Sequence, residues 1–327
     1  MKPVAVSLGD PFGIGPEVVL SAAASLPAGL PLRLFGDYSL TRRTAEKLAL
    51  PFERFENRGS ASPDRARFTD VGDGTPGELS FGRIDAAAGS VALRSINAAV
   101  DAVLAGECSA LVTAPIHKQA IAAAGSPFPG HTELLASRSG LHLYGEEFAM
   151  YFESPSLSVV LVSVHLALSE AIQLVTAHRV DALAKLTSRE WRRLHGRVPR
   201  IAVAGLNPHA GEGGRFGREE EEIARGLSSA REEGIDVAGP FAPDTVFLSA
   251  REGRYDVVMA MYHDQGLIPI KTLDFARSVN VTFGLPYLRA SVDHGTAFDI
   301  AGRGVADPAP MRYAIEWTAN HAEWFAR

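Results

Sequence analysis

Short runs of β-branched and aliphatic residues alternate with alanine-rich amphipathic stretches along the chain, and this alternation constrains the fold most strongly. Strands are predicted at 4–6, 32–35, 110–112, 157–164, 201–204 and 256–261. Helices are predicted at 90–104, 169–186 and 219–233, with another that begins at Pro16 and Glu17. A polar stretch, 57–75, is expected to be a surface excursion. The alternation favours an α/β fold with a mostly parallel sheet.

Length and charge narrow the class of protein. The 327 residues favour two domains over one. A net charge of −6 argues against nucleic acid as a partner, although a small anionic substrate needs only local positive charge. The single cysteine, Cys108, cannot form an internal disulfide, which fits a reducing compartment.

Neither the amino terminus nor the most apolar stretch of the sequence predicts a membrane-inserted segment. The amino terminus, MKPVAVSLGDP, has too few apolar residues for the core of a signal peptide. The most apolar stretch, 157–168, is interrupted by polar residues and too short to span a bilayer. The sequence therefore predicts a cytoplasmic protein whose partners include neither membrane nor nucleic acid.

Three predicted strands carry a histidine at or just past their carboxyl ends. LSVVLVSVH ends on His165, RIAVAGLNPH reaches His209, and YDVVMAMYH ends on His263. Because the carboxyl ends of parallel strands share one edge, where open α/β folds bind ligands, the three imidazoles could converge on a catalytic divalent metal. One such histidine alone is more often a hydrogen-bonded loop residue. Three favour a metal, although spacing alone leaves both interpretations open.

Neighbouring segments carry groups that suit an anionic substrate. His131 and Thr132 follow a glycine in PGHTE and could bind phosphate oxygens, while Thr132 could also cap a helix. Lys271, Asn280 and Arg289 lie in one short region rich in β-formers and offer a cation, an amide and a guanidinium. Each of these alone would more often be a solvated surface residue. The glycine-dense NPHAGEGGRFG could approach a ligand closely or be a plain flexible turn.

The usual dinucleotide fingerprint is absent from the first loop. The segment has Gly13 and Gly15 but lacks the third glycine of G-x-G-x-x-G, and Pro16 removes a backbone donor. A standard Rossmann site is therefore not expected. The residues alone predict an α/β enzyme with a metal and an anionic substrate.

Seven motifs together resemble the 4-hydroxythreonine-4-phosphate dehydrogenase family of vitamin B6 biosynthesis: GDPFGIGPE, TAPIHKQAI, FPGHTELLA, NPHAGEGGRFGREE, GPFAPDTVF, YHDQGLIPIK and SVDHGTAFDIAGRGVADP. They extend from residue 9 to residue 308 in the order expected for the family. The resemblance implies two α/β/α domains with a cleft between them, as in isocitrate and isopropylmalate dehydrogenases, and an NAD site without the Rossmann fingerprint. The expected domains are 1–128 plus 275–327 on the cofactor side, and 129–274 for metal, substrate and dimerisation.

The resemblance also assigns roles. The implied divalent-metal ligands are His165, His209 and His263, and the implied substrate-binding residues are His131, Thr132, Lys271, Asn280 and Arg289. Candidates near the dinucleotide are Asp293, His294, Gly295 and Asp299. Candidate proton acceptors are Asp244 and Asp264, which could instead orient the ligand histidines. The family is a homodimer that completes its metal site across the interface. Phe12 occupies a position in the first loop where the family commonly has a small residue, so the resemblance does not define the exact shape of the pocket.

The implied reaction is NAD-dependent oxidation of 4-hydroxythreonine 4-phosphate, followed by decarboxylation to 3-amino-2-oxopropyl phosphate. The metal would lower the pKa of the substrate hydroxyl and stabilise the developing enolate. Zinc, magnesium and cobalt are all candidates for this metal. NADP is not excluded. Relatives with this fold oxidise threonate or erythronate 4-phosphate or a terephthalate cis-dihydrodiol, so these alternatives also stay open. A metal-dependent aldolase or hydrolase would not need NAD, and a solute-binding protein would normally carry an export signal.

Overall fold

The α/β class predicted from the sequence is confirmed by the computed structural model, which describes residues 2–27, 29–52, 55, 67–72 and 79–325. The chain divides into two units. Unit 1 comprises Met1–Leu135 and Tyr287–Ala326, and unit 2 comprises Ala136–Pro286. The domain bounds expected at 128/129 and 274/275 stay a prediction. Of the polar stretch 57–75, residues 57–66 and 73–75 lie outside the described residues.

The described residues form strands and helices in alternation. The strands are Val4–Ser7 (β1), Leu32–Gly36 (β2), Arg67–Asp70 (β3), Ala110–Thr113 (β4), Ala149–Glu153 (β5), Ser158–Leu161 (β6), Ile201–Ala204 (β7), Val237–Phe241 (β8), Val257–Ala260 (β9), Val279–Phe283 (β10) and Arg289–Ser291 (β11). The helices are Gly15–Ala24 (α1), Tyr38–Leu48 (α2), Ala86–Leu104 (α3), Lys118–Ala123 (α4), His131–Arg138 (α5), Leu168–Gln173 (α6), Ala177–His195 (α7), Glu219–Glu232 (α8), Val246–Arg251 (α9), His263–Asp274 (α10) and Ala309–Phe325 (α11). A tight loop whose residues 209–212 have positive φ occupies Pro208–Gly213, and a short 3-10 segment occupies Phe275–Arg277.

Unit 1 contains a parallel sheet with the strand order β3-β2-β1-β4-β11. All four residues of β1 are buried, as expected for a central strand covered on both faces. The helix that follows β1 begins as predicted, with Pro16 in its first turn. By contrast, α3 begins four residues before the predicted start at 90, because the Asp85 carboxylate accepts the N–H groups of Ala87 and Ala88 at 2.8 and 3.2 Å.

One helix in the described part of the chain, α3, is long and apolar enough by length and composition to cross a membrane. More than half of its apolar window, 56%, is buried inside the protein. The helix packs against β1, β2, β4 and α4. These contacts are those of a core helix of unit 1.

Unit 2 contains a mixed sheet with the strand order β10-β5-β6-β9-β7-β8. The pairs β10/β5 and β5/β6 are antiparallel, whereas β6, β9, β7 and β8 run parallel to one another. The carboxyl ends of β6, β9 and β7 therefore lie side by side at one edge.

A glycine allows α10 to lie directly on this parallel part of the sheet. A Cβ added to Gly266 would lie 2.5 Å from Cδ2 of Leu161 and 2.7 Å from Cγ1 of Val159. Any side chain at this position would therefore push the first turn of α10 away from β6. The position of α10 matters because the helix begins at His263.

Four local expectations differ from the structure. The helix predicted over 169–186 is two helices, α6 and α7, because the Thr176 hydroxyl accepts the N–H of Arg179 at 3.3 Å and starts a new one. The strand predicted over 157–164 ends at Leu161. Thr132 lies inside the first turn of α5 and is not its N-cap. Lys271 lies on α10, although its neighbours in sequence include many β-formers.

Candidate functional site

The three histidines follow three neighbouring parallel strands of unit 2. His165 comes after β6, His263 begins α10 after the adjacent β9, and His209 lies in the loop Pro208–Gly213 after β7. The ring centroids of His165 and His263 are 5.5 Å apart, with 43° between the ring planes. Within the described residues, the nitrogen atoms of all three rings do not lie within 4.8 Å of one another. The structure thus brings two imidazoles together and places the third at the same edge.

The backbone is strained at two of these three positions. His165 has φ 47° and His209 has φ 52°, in the left-handed region that residues other than glycine avoid. Such a conformation costs about 1–2 kcal/mol per residue. Strain of this kind persists where the surrounding structure enforces it, and it clusters at functional sites.

Both candidate proton acceptors lie beside a histidine. Asp264 Oδ1 is 2.7 Å from Nδ1 of His263, a hydrogen bond that leaves Nε2 of that ring to face a ligand. Asp244 Oδ2 is 4.0 Å from Nδ1 of His209, too far for a hydrogen bond. The two side chains are both more than half exposed, but they are not equivalent, because Asp264 hydrogen-bonds to a histidine ring and Asp244 does not.

Gln265 explains part of the polar run that follows β9. Its Oε1 accepts the N–H of Met261 at 2.7 Å, and its Nε2 donates to the carbonyl of Gly205 at 2.8 Å. The amide therefore links the end of β9 to the end of β7. This link fixes the two strand ends from which His263 and His209 extend.

Two cavities open at this edge of unit 2. The first has a volume of about 260 Å³ and is lined by His165, His263 and Asp264, among others. The second has a volume of about 720 Å³ and is lined by Asp244 and Asp264 together with a mainly apolar wall. That wall includes Phe247, Leu248, Ile268 and Leu273.

The donor set at this edge fits a divalent transition metal. Neutral imidazole is a common ligand of such ions, and a carboxylate hydrogen-bonded to the far ring nitrogen is the usual companion of a metal-binding histidine. His263 and Asp264 have this arrangement. His165, His209 and His263 are the histidines at this edge that could hold such an ion.

A buried cation marks the corresponding edge of unit 1. Arg289 lies on β11 and is 1% exposed, and its Nη2 donates to Oγ1 of Thr113, at the end of β4, across 2.6 Å. His131, at the start of α5, is close enough to Arg289 for the guanidinium charge to lower the pKa of its imidazole. Its Nε2 is buried and has no hydrogen-bond partner among the described residues.

Burial sets the protonation of this pair. Burial lowers the pKa of His131 well below 6.5, and the positive charge of Arg289 lowers it further. Burial also lowers the pKa of Arg289 to about 10, against the opposing effect of Tyr287 and Glu133. At neutral pH the guanidinium is therefore charged and the imidazole is neutral. A fixed cation beside a neutral ring with a spare nitrogen is suited to binding an anion.

The remaining predicted substrate residues occupy separate positions. The Thr132 side chain is buried in the first turn of α5 in unit 1. Lys271 on α10 and Asn280 on β10 belong to unit 2. The Oδ1 atom of Asn280 is buried with no partner in the described part of the chain, and such an acceptor gains from a ligand that donates to it.

The cofactor candidates follow β11 in unit 1, next to the first loop. The N–H of Ile14 donates to the carbonyl of Thr296 at 3.0 Å, and a Cβ added to Gly13 would lie 3.0 Å from Cβ of Thr296. The segment that carries Asp293, His294, Gly295 and Asp299 is therefore anchored on the loop between β1 and α1. Phe12, the predicted departure in this loop, is buried.

Sequence reasoning missed Asp10, which comes just after β1. Its carboxyl is wholly buried; Oδ1 accepts the N–H of Phe12 at 2.9 Å, and Oδ2 has no partner among the described residues. Burial raises its pKa to about 6, although the backbone N–H groups of Phe12 and His117 oppose the shift. The available signal was the same as for the histidines, a polar residue just past the carboxyl end of a strand, but Asp-Pro also predicts an ordinary turn.

The polar side chains of both units gather at or beyond the carboxyl ends of parallel strands, where α/β enzymes bind their ligands. Fold and site together thus define an α/β enzyme. Comparison with known proteins gives the family: the chain belongs to the family described as pyridoxal phosphate biosynthetic protein PdxA, which matches residues 30–318. The resemblance drawn from the seven motifs is confirmed.

Individual relatives cover nearly the whole chain. The D-threonate 4-phosphate dehydrogenase of Salmonella typhimurium is 42% identical over 324 residues, covering 96% of this chain and 97% of the relative. The 4-hydroxythreonine-4-phosphate dehydrogenase of Beijerinckia indica is 41% identical over 322 residues, covering 97% and 94%. A solved structure described as 4-hydroxythreonine-4-phosphate dehydrogenase from Klebsiella pneumoniae matches with a TM-score of 0.89 and 40% identity, covering 98% and 100%. The chain is therefore an oxidoreductase of the dehydrogenase type.

Proposed function

We propose that this protein oxidises 4-hydroxythreonine 4-phosphate with NAD and a divalent metal, and releases carbon dioxide and 3-amino-2-oxopropyl phosphate. The observation that carries the proposal is the buried pair of Arg289 and His131, a fixed anion receptor in an enzyme whose relatives act on phosphorylated substrates. The family description, pyridoxal phosphate biosynthesis, supports this substrate.

The substrate phosphate is assigned to the receptor in unit 1. The charged Arg289 attracts the phosphate oxygens, and the neutral His131 and the Thr132 hydroxyl can hydrogen-bond to them. Lys271 and Asn280 are assigned to the same substrate on the strength of the family resemblance. The orphaned Oδ1 of Asn280 supports this role, because the amino and hydroxyl groups of the substrate are donors.

His165, His209 and His263 are assigned as ligands of the divalent metal. When bound, such an ion lowers the pKa of an alcohol held against it and stabilises negative charge on oxygen. Asp264 keeps His263 in the tautomer that presents Nε2. Metal analysis of the purified protein distinguishes zinc, magnesium and cobalt as the bound ion.

Asp244 is assigned as the acceptor of the proton that the substrate hydroxyl loses. The two carboxylates differ, because Asp264 already accepts a hydrogen bond from His263, whereas Asp244 makes none with His209 at 4.0 Å. The hydroxyl oxygen loses its proton and the carbon that bears it loses a hydride, which gives a ketone; NAD takes the hydride with both electrons. The carboxylate β to this ketone then leaves as carbon dioxide, and a proton from solvent replaces it.

The cofactor is assigned to unit 1. The similarity of this chain to dehydrogenases supports a nicotinamide dinucleotide. The carboxylates of Asp293 and Asp299 are suited to ribose hydroxyls, and His294 and Gly295 lie between them. A carboxylate repels a 2′-phosphate, and this favours NAD over NADP.

The active form is proposed to be a cytoplasmic homodimer, as the family resemblance implies. Support comes from apolar side chains that unit 2 leaves in water beside the carboxylates. Leu248 and Ile268 are 54% and 64% exposed and line the same cavity as Asp244 and Asp264. An exposed apolar patch that borders a site is typical of a surface that a partner covers.

Product stoichiometry tests the proposed reaction. Purified enzyme is given 4-hydroxythreonine 4-phosphate and NAD, and NADH and carbon dioxide are measured in the same sample. The proposal predicts one carbon dioxide for each NADH. NADH without carbon dioxide would contradict the decarboxylation and leave a simple alcohol dehydrogenase.

A further inference from the structure

The loop that carries His209 has an unusual backbone. His209, Ala210 and Glu212 have φ values of 52°, 54° and 43°, and none of them is glycine. Residues with a Cβ avoid this left-handed region, so three such residues within four positions make the backbone conformation of the loop energetically unfavourable. The conformation must therefore be held by groups outside the run.

The carboxylate of Glu220 provides that hold. Its Oε1 accepts the N–H groups of Leu206 and Asn207 at 3.0 and 2.7 Å, and its Oε2 accepts Nδ2 of Asn207 at 3.0 Å. Three donors from the segment just before His209 thus converge on one side chain. Glu220 lies in the first turn of α8, where the helix dipole stabilises a negative charge.

The loop also encloses this carboxylate on its other side. A Cβ added to Gly211 would lie 2.7 Å from Oε2 of Glu220, and one added to Gly205 would lie 3.3 Å from Oε1. The backbone before and after His209 therefore approaches the same two oxygens. The neighbouring Glu219 also accepts Nδ2 of Asn207, at 2.7 Å, but the backbone N–H groups of Leu206 and Asn207 both donate to Glu220.

We propose that Glu220 is a positioning residue for His209: the Glu220 carboxylate orders the strained loop before a divalent ion binds. The inference rests on the proposed role of His209 as a metal ligand. When a binding-competent conformation is only partly populated, the apparent dissociation constant rises by the inverse of that population. Without Glu220 the loop leaves the left-handed conformation, and ion binding must restore it.

Cobalt titration of the full-length metal-free protein, followed by visible absorption, tests the proposal. Glu220→Ala is expected to weaken Co²⁺ binding by about 10- to 100-fold, the range seen when a group that supports a metal ligand is lost. The rate at saturating Co²⁺ should return to within about twofold of wild type, because the bound state is unchanged. Glu220→Gln should fall between the two, since its carbonyl can still accept from Leu206 and Asn207 while its NH₂ opposes Nδ2 of Asn207.

Glu221→Ala is the matched control. Glu221 is the next residue of α8 and is exposed, and its Oε1 lies 4.0 Å from Nε of Arg218. Its loss removes the same charge without touching the loop, so Co²⁺ affinity should stay at the wild-type value.

The outcomes separate this inference from the function on which it rests. A folded Glu220→Ala with wild-type Co²⁺ affinity overturns the positioning role and leaves the metal site intact. If that variant fails to fold by circular dichroism, wild-type affinity in Glu220→Gln overturns it equally. A rate that stays low at saturating Co²⁺ also contradicts it. Wild-type protein that binds no Co²⁺ overturns the metal site itself and the inference with it.

Discussion

The guanidinium of Arg289 donates to the hydroxyl of Thr113 across 2.6 Å in the interior of unit 1. The bond joins β11 to the adjacent parallel strand β4, so the sheet itself fixes the position of the cation. A side chain that is ordered before binding loses little conformational entropy when the ligand arrives. The proposed anion receptor is therefore preorganised.

Replacing this guanidinium should weaken substrate binding. In Arg289→Lys, the ammonium is a compact charge that cannot both donate to Thr113 and present a fork of donors to a phosphate. Loss of a charge-assisted hydrogen bond costs about 1.5–3 kcal/mol, so KM for the phosphorylated substrate should rise by about 10- to 100-fold. Steady-state kinetics measure the change. Arg312→Lys, at an exposed position on α11, is the control and should leave KM unaltered; equal KM values in both variants would remove Arg289 from the phosphate site.

Removing one predicted metal ligand should abolish both metal binding and turnover. In His263→Ala, the site loses the imidazole that Asp264 orients. Because a bound ion supplies several kcal/mol of charge stabilisation, the rate should fall at least about a thousandfold. His178→Ala removes a histidine whose side chain is 73% exposed, and it should keep wild-type activity and metal content. Full metal content in His263→Ala would show that the ion binds elsewhere.

The buried carboxyl of Asp10 should make stability depend on pH. Its pKa is raised from 3.8 to about 6 in the folded chain, so the folded state holds this proton more tightly than the unfolded state does. Its contribution to stability is therefore fully present below about pH 4 and is lost as the pH rises to about 6. A shift of about two units corresponds to roughly 3 kcal/mol.

Asp10→Asn tests this linkage because an amide does not ionise. The stability of the variant relative to wild type should increase by roughly 2–3 kcal/mol between pH 4 and pH 7, measured by urea denaturation at each pH. Asp101→Asn, which changes an exposed carboxylate on α3, should show no such trend. A relative stability of Asp10→Asn that is constant with pH would refute a buried proton at Asp10.

A charge placed in the exposed apolar patch of unit 2 should disrupt the proposed dimer. Ile268, on α10, is 64% exposed, and Ile268→Asp would bury a carboxylate against a partner at high cost. Sedimentation velocity should show a dimer for wild type and a monomer for the variant. Leu104→Asp, at a residue of α3 that is 50% exposed, should remain a dimer. A dimer in both variants would place the interface elsewhere.

The topological part of the site could be predicted from the sequence because it depends on local pattern. Apolar runs that end on His165 and His263 predict buried strands with polar ends, and the parallel pairing of β6 with β9 brings these ends together. The expectation needed no knowledge of side-chain contacts. The family resemblance then assigned roles to residues that spacing alone left open.

The conformational part could not be predicted because distant residues determine it. The glycine-dense sequence around His209 indicates a turn but not a left-handed backbone at His209 itself, which depends on a carboxylate eleven residues further along the chain, at Glu220. Lys271 lies among β-formers, yet α10 forms because Gly266 lets it pack on β6. The neutral state of His131 likewise depends on burial and on the charge of Arg289, which no local pattern reveals.

The most direct test of the proposed function is the rate of NADH formation from three substrates, each with and without a chelator. The substrates are 4-hydroxythreonine 4-phosphate, threonate 4-phosphate and erythronate 4-phosphate; relatives that act on the first two are about equally similar to this chain. The account predicts the highest kcat/KM with 4-hydroxythreonine 4-phosphate, loss of activity on chelation and recovery when a divalent metal is restored. A higher kcat/KM with threonate 4-phosphate, or activity that survives chelation, would contradict it.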